Sequence, residues 1–200
     1  MACPSWSVPA GDACPAYAAS MKMETCGKEA ICRRCYAQKG RYLFKNVLAA
    51  QRRRLEWWNA TEPKERAAVL AAALALDGSP RYFRCYDSGD FDGPGAATTW
   101  LELAERCPHM KLWLPTRTWI LPEMLPLLRD LNRHPRIVVR PSAMCFGEHA
   151  PEVAGLSAGT SAPLDNAAPG LTADRACPGQ CGDCRLCWEA PCLSVEFHRK

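Results

Sequence analysis

Tyr82-Phe-Arg-Cys-Tyr86, Lys111-Leu-Trp-Leu114 and Arg136-Ile-Val-Val139 are short apolar runs rich in β-branched and aromatic residues, and each reads as a strand. Between them, residues 96–106 and 122–131 carry helical periodicity, the second with Pro122 in its first turn. Strand–helix–strand–helix–strand at this spacing requires crossover connections, and therefore parallel strands. The fold class that follows is α/β: a small parallel sheet or partial barrel with helices, flanked by cysteine-rich N- and C-terminal metal-binding segments. A complete eight-stranded barrel takes about 250 residues; this chain has 200.

Two more helices precede the first of these strands. Residues 42–58 place Leu43, Val47, Leu48, Leu55 and Trp58 on one face. Residues 62–77 follow, with Thr61 as the expected cap, Pro63 in the first turn and Gly78 past the end. The chain is expected to form a single domain over 1–200. Residues 1–41 would be an N-terminal cysteine segment rich in loops, 42–154 the α/β core, 155–176 a linker loop of small residues, and 177–200 a C-terminal cysteine segment.

Hydrophobic residues make up 48% of the chain, too many for a disordered segment. No apolar run approaches the roughly 20 residues of a membrane helix, and residues 1–10 lack the basic and apolar stretches of a signal peptide. The expected location is cytoplasmic, with no membrane partner. The formal net charge of +4 permits an anionic partner without requiring one.

The 13 cysteines dominate the chemistry. Cysteines clustered at short spacings in a reducing compartment are characteristically metal ligands. Cys181, Cys184 and Cys187 are each three apart, and Cys177 or Cys192 supplies a fourth thiolate. A C-x2-C-x2-C run lets successive thiolates reach different irons of a cubane cluster, whereas zinc usually takes two separated pairs. The Cys177-Pro pair fixes an extended approach and favours Cys177. At the other end, the Cys32–Cys35 pair with Cys14 and Cys26 would close a second four-thiolate site, with Cys3 a lesser candidate. One or two 4Fe-4S clusters are therefore expected, with zinc as the alternative metal. Arg33 and Arg34, between two ligands, would help neutralise the cluster.

In parallel α/β folds the functional groups gather at the carboxyl ends of the strands. The three strands end in Asp87-Ser88-Gly-Asp90, Thr116-Arg117-Thr118 and Arg140-Pro-Ser142. Arg117 and Arg140 would grip a phosphate or carboxylate. Asp87 and Asp90 would act as base or hydrogen-bond acceptors, with Ser88, Thr116 and Ser142 lining the ligand. Asp87, Asp90 and Arg117 are the candidate catalytic residues. Cys85 and Cys107 read as buried free thiols, while Cys145 lies within reach of the rim. His109, His134, His149 and His198 have no metal spacing. Arg52-Arg53-Arg54 before Trp57 and Trp58 reads as a solvated helix face with Trp58 in the core; the other reading is a nucleic-acid contact.

Ser7-Val-Pro-Ala-Gly11, Cys14-Pro, Cys35-Tyr-Ala-Gln-Lys-Gly-Arg-Tyr42, Ser88-Gly-Asp-Phe91, Pro115-Thr-Arg-Thr-Trp119, Arg140-Pro-Ser142 and the final Cys177-Pro…Cys184…Cys187-Trp resemble the phage gene-product-88 family, in order and over most of the chain. The resemblance implies a small phage protein, placed in the host cytoplasm. The Cys-Tyr-Ala element is also similar to motifs of phage proteins distantly related to radical S-adenosylmethionine enzymes. It implies redox or radical chemistry with a small-molecule or nucleotide-like ligand, and S-adenosylmethionine as a further cofactor. Those enzymes use C-x3-C-x2-C; here Cys26 to Cys32 is C-x5-C. The alternative function is a non-catalytic, metal-stabilised module, zinc or iron–sulfur, that binds nucleic acid or a host protein.

Overall fold

The computed structural model describes residues 3–163, 173–179, 181 and 183–197. Four parallel strands form the main sheet in the order β1-β2-β3-β4: Ser5–Ser7, Tyr82–Ser88, Lys111–Thr116 and Ile137–Pro141. Three crossovers join them. The first holds α1 (Tyr17–Lys22), a run of 3-10 turns from 27 to 43, α2 (Lys45–Ala60) and α3 (Pro63–Leu76); α4 (Pro94–Arg106) and α5 (Leu125–Asn132) make the others. The α/β class with a small parallel sheet is as expected, and β2, β3 and β4 fall where the apolar runs placed them.

Side chains alternate across a strand, so the sheet has two different faces. Phe83, Cys85, Leu112, Leu114, Ile137 and Val139 meet α2 to α5 in the main core with Trp58, Trp100, Leu103 and Leu128. Trp113 points the other way and packs on Trp188 and Phe197 of the C-terminal segment. That segment carries α6 (Leu186–Glu189) and β7 (Val195–Glu196), which pairs with β5 (Thr160–Ser161) and β6 (Arg175–Ala176) of the preceding stretch in a small parallel sheet ordered β5-β7-β6. One face is thus covered by helices and the other by the cysteine segment.

Several local expectations change. β1 is a strand inside a stretch read as loops; three residues are too few to show alternation. Residues Gly40–Leu43 form a 3-10 turn before α2, which leaves Leu43 58% exposed instead of on the apolar face. The N-cap of α3 is Glu62, not Thr61, and Pro63 opens the helix as expected. α5 starts at Leu125, with Pro126 rather than Pro122 in its first turn. The expected linker, 155–176, is structured at its start. Ser157 N donates to Val139 O (3.1 Å) along the open edge of β4, and Thr160 and Ser161 are buried. Its residues 164–172 lie outside the described residues, as do 180, 182 and 198–200 of the C-terminal segment with His198.

Two candidate metal centres

The carboxyl ends of β2 and β3 build the first site. Gly89 turns the chain there at φ +84°, and a β-carbon at this position would collide with the Val8 side chain. Only glycine therefore lets β1 and the β2 end pack this closely. Asp90 follows, buried, and its carboxylate accepts the amides of Phe91 (2.7 Å) and Arg117 (2.9 Å). The amide of Asp90 donates to Ala13 O (3.0 Å), which ties the Cys14 turn to the strand end. Burial pushes the Asp90 carboxyl above its usual range, against hydrogen bonds from Thr116 and the two amides.

Cys14, Cys32 and Cys35 are free thiols gathered at this rim. Burial raises Cys14 to about 12, and the charges of Asp90, Cys35 and Cys32 add to it. Cys35 is raised by burial too, while the Arg117 guanidinium beside it acts in the opposite direction. Gly11 N points at Cys14 Sγ (3.4 Å), the kind of amide contact that stabilises a bound thiolate. Arg117 spends only Nε, on Ala143 O (3.0 Å); among the described residues its two Nη groups make no hydrogen bond. The rim therefore joins three thiols, a buried carboxylate and a cation with free donors.

The other expected rim residues are used differently. Ser88 donates to Val8 O (2.6 Å) and accepts from Gln51 (3.0 Å), locking β1 to α2. Thr116 and Thr118 share a hydroxyl contact of 2.7 Å, and Ser142 accepts from Thr160 (2.9 Å). Asp87 is turned away from Asp90. It pairs with Arg84 (2.8 Å) and accepts the Tyr42 hydroxyl, while Tyr36 donates to its carbonyl. This network anchors the turns that follow Cys35.

Cys26 does not join Cys14, Cys32 and Cys35. Its sulfur is bonded to that of Cys145, with the Cα atoms 5.3 Å apart across 119 residues of sequence. Ala30 pairs with Cys145 in a β-bridge, and Ile31 N donates to Met144 O (2.9 Å), so this link fastens the turn before Cys32 to the loop after β4. Glu148 accepts the Cys145 amide (2.9 Å). Of the four thiols expected to share a site, Cys14, Cys32 and Cys35 are free and Cys26 is not.

Arg140 is the second correction. It does not reach the rim but is fully buried beneath the C-terminal segment. Its five N–H donors go to five carbonyls: Cys187, Ala158, Leu193, Leu186 and Ala190, at 2.6–3.2 Å. Five donors are all that a guanidinium has, so nothing is left for a ligand. Pro115 opposite Arg140 and Trp113 opposite Val138 set the register that aims this arginine away from the helices.

Around this anchor lies the second cysteine group. Burial pushes the Cys187 thiol to about 12; Arg140 opposes, and Cys177, Cys181 and Cys184 push further up. Gly179 N points at Cys177 Sγ (3.4 Å). Arg185 donates to the carbonyls of Cys181 and Cys184, the latter at 2.8 Å, and lies 4.7 Å over the Tyr82 ring. Cys192 is exposed. Cys3, a lesser candidate for the N-terminal site, instead packs against this group with Cys181. Nothing in the spacing of Cys3 foretold this, because β1 carries it there. Cys85 and Cys107 are buried free thiols, as expected.

A family model described as Gene product 88 matches residues 2–190. No curated protein and no solved structure matches the chain.

Proposed function

The chain belongs to the gene product 88 family, and on that premise we propose that it is an iron–sulfur protein with two centres of different character. Cys177, Cys181, Cys184 and Cys187 would hold a fully thiolate-ligated 4Fe-4S cluster on one face of the sheet. Cys14, Cys32 and Cys35 would hold a second at the strand ends, with one iron left without a protein thiolate. The observation that carries this reading is the diversion of Cys26 to Cys145, which leaves three free thiols, not four, beside the free donors of Arg117.

The donor chemistry fits. Four thiolates on a single zinc stand about 3.8 Å apart, from Zn–S bonds of about 2.3 Å. Among the described residues, the one set of three Cys, His or carboxylate ligand atoms within 4.8 Å of one another is Cys26, Cys145 and Glu148. Neither proposed centre has three of its sulfurs that close together. Arg140 and Arg185 offset the negative charge of four thiolates on the face, and Arg117 does so at the rim. Such clusters supply one-electron redox chemistry, and an open iron adds a place for a ligand. The Nη groups of Arg117 would orient an anionic or nucleotide-like molecule there; Asp90 holds the turn that presents them. S-adenosylmethionine, with its carboxylate, is the first probe to try in a radical-type reading.

Anaerobic purification followed by iron, sulfide and zinc analysis tests this. The expected result is about eight irons per chain, with Cys35→Ala and Cys184→Ala each reduced to about four. S-adenosylmethionine should perturb the spectrum of the reduced wild type and of Cys184→Ala, but not that of Cys35→Ala. A colourless protein with stoichiometric zinc would overturn the reading.

A further inference from the structure

We propose that the exposed face of α2, with the turns that lead into it, binds the phosphodiester backbone of a single-stranded nucleic acid. This goes beyond the metal centres and does not depend on them. Between Glu29 and Glu56 the chain has no acidic residue, and residues 33–54 hold eight arginines and lysines. The whole chain is +4, so everything outside this segment sums to −4. The positive charge is therefore concentrated in one stretch of the sequence.

Lys45, Leu48, Ala49, Arg52 and Arg53 stand at helical spacings of three, four, seven and eight. They line a shallow concavity along α2 that ends at Glu56. Lys39 and Arg41 are exposed on the turns that lead into α2. Those turns are fixed to the end of β2, because Tyr36 and Tyr42 both donate to Asp87. Lys39, Arg41, Lys45, Arg52 and Arg53 are all exposed, and none makes an ion pair among the described residues. By contrast, the exposed Lys64, Arg106 and Arg133 each pair with an acid. A row of unpaired cations about 12 Å long, at 1.5 Å per residue from 45 to 53, matches a run of phosphates.

Apolar surface adjoins the stripe on both sides. Leu43 and Phe44 are each 58% exposed at its N-terminal end. Beyond Arg53 a second concavity is lined by Trp57, Val69, Leu70 and Ala73, and Arg53 belongs to both. Phosphates on the cations and bases against Phe44 and Trp57 is the pattern of single-strand binding. A lipid surface would instead need a continuous exposed apolar helix face. Here Leu55 and Trp58 face the core, and the exposed pair precedes the helix.

Fluorescence anisotropy of a labelled 20-nucleotide single strand, titrated with the full chain at several salt concentrations, tests the proposal. With about five phosphate contacts the slope of log K against log salt should be about −3.5, at 0.7 per contact. The triple variant Lys45→Gln/Arg52→Gln/Arg53→Gln should bind at least tenfold more weakly, with a slope of about −1.4. Phe44→Ser should weaken binding about fivefold or more and leave the slope unchanged. The control Lys64→Gln/Arg106→Gln/Arg133→Gln makes the same change in net charge and should bind like the wild type. Equal losses in control and triple variant would overturn the proposal. So would a preference for duplex, or binding to phosphatidylserine vesicles without binding to the oligonucleotide. Circular dichroism on each variant separates loss of binding from loss of fold, and none of these readouts involves the iron content.

Discussion

The two cysteine groups differ in how they are assembled. On the face of the sheet, Cys177, Cys181, Cys184 and Cys187 come from 11 consecutive residues, and a buried arginine of β4 bonds the carbonyls of Leu186 and Cys187 at their end. At the rim, Cys14, Cys32 and Cys35 sit on turns between β1 and α2 and meet groups from the ends of β2 and β3. The first group is local in sequence, and Arg140 is its most heavily bonded tertiary tie. The second exists only because three separate stretches of backbone converge. A local site should therefore fail through its anchor, and a convergent site through any of the ties between its parts.

The largest expected effect comes from removing the anchor. Arg140→Ala leaves five carbonyls, one buried and four partly buried, without their donor, at a cost of more than about 3 kcal/mol. The melting temperature should fall sharply, with iron lost from the C-terminal group. Arg140→Lys cannot supply five donors and should recover only part of the loss. If Arg140→Ala melted like the wild type, the face group would be held by its cluster or its own chain instead.

Next is the tie between Cys26 and Cys145. A disulfide typically stabilises by roughly 2–4 kcal/mol. Cys26→Ser should lower the denaturation midpoint under oxidising conditions and match the wild type once reductant is added. It should also leave the iron count intact; iron lost from the rim in this variant would return Cys26 to the ligand set and erase the contrast between three thiols and four.

Gly89→Ala sharpens the comparison from the strand end. It forces a β-carbon into Val8 at a left-handed φ, for a cost of about 1–3 kcal/mol. The damage should fall on rim iron, with face iron retained. Loss from both groups would mean that the rim and the face are a single cooperative unit.

The smallest effect is Glu189→Gln on α6. Lys111, and then the Tyr82 hydroxyl at 2.8 Å, hold this carboxyl below its usual range. A carboxyl lowered by folding adds stability above its unfolded pKa, and that contribution is lost as the pH falls through the folded value. The pair is solvent-exposed, so the gain is under about 1 kcal/mol. Urea midpoints of wild type and variant should differ slightly at pH 7 and converge once the pH falls below the usual carboxyl range.

How far each group could be read from the chain follows the same division. Cys181, Cys184 and Cys187 announce themselves by spacing, and β2, β3 and β4 by their apolar runs. Helices α3 and α4 carry proline and glycine signals at their ends. Asp90 and Arg117 were placed together by the rule that strand ends converge, and they are bonded. Arg140 sits on a strand end too, but the same rule could not say which face it takes. One residue of register turns an arginine from the rim to the underside. Cys145 had no local signal at all, being 119 residues from Cys26.

The amino-acid sequence by itself thus determined the α/β class, the parallel sheet, the cysteine-rich ends and the local thiol run, because periodicity and short spacing act within one or two turns of chain. Only the tertiary structure decided that Cys26 leaves its neighbours for Cys145, that Arg140 spends all its donors on backbone, that Cys3 joins the far end, and that Lys45, Arg52 and Arg53 line one concavity. Those outcomes depend on strand register and crossover packing, which bring together residues that no local pattern connects.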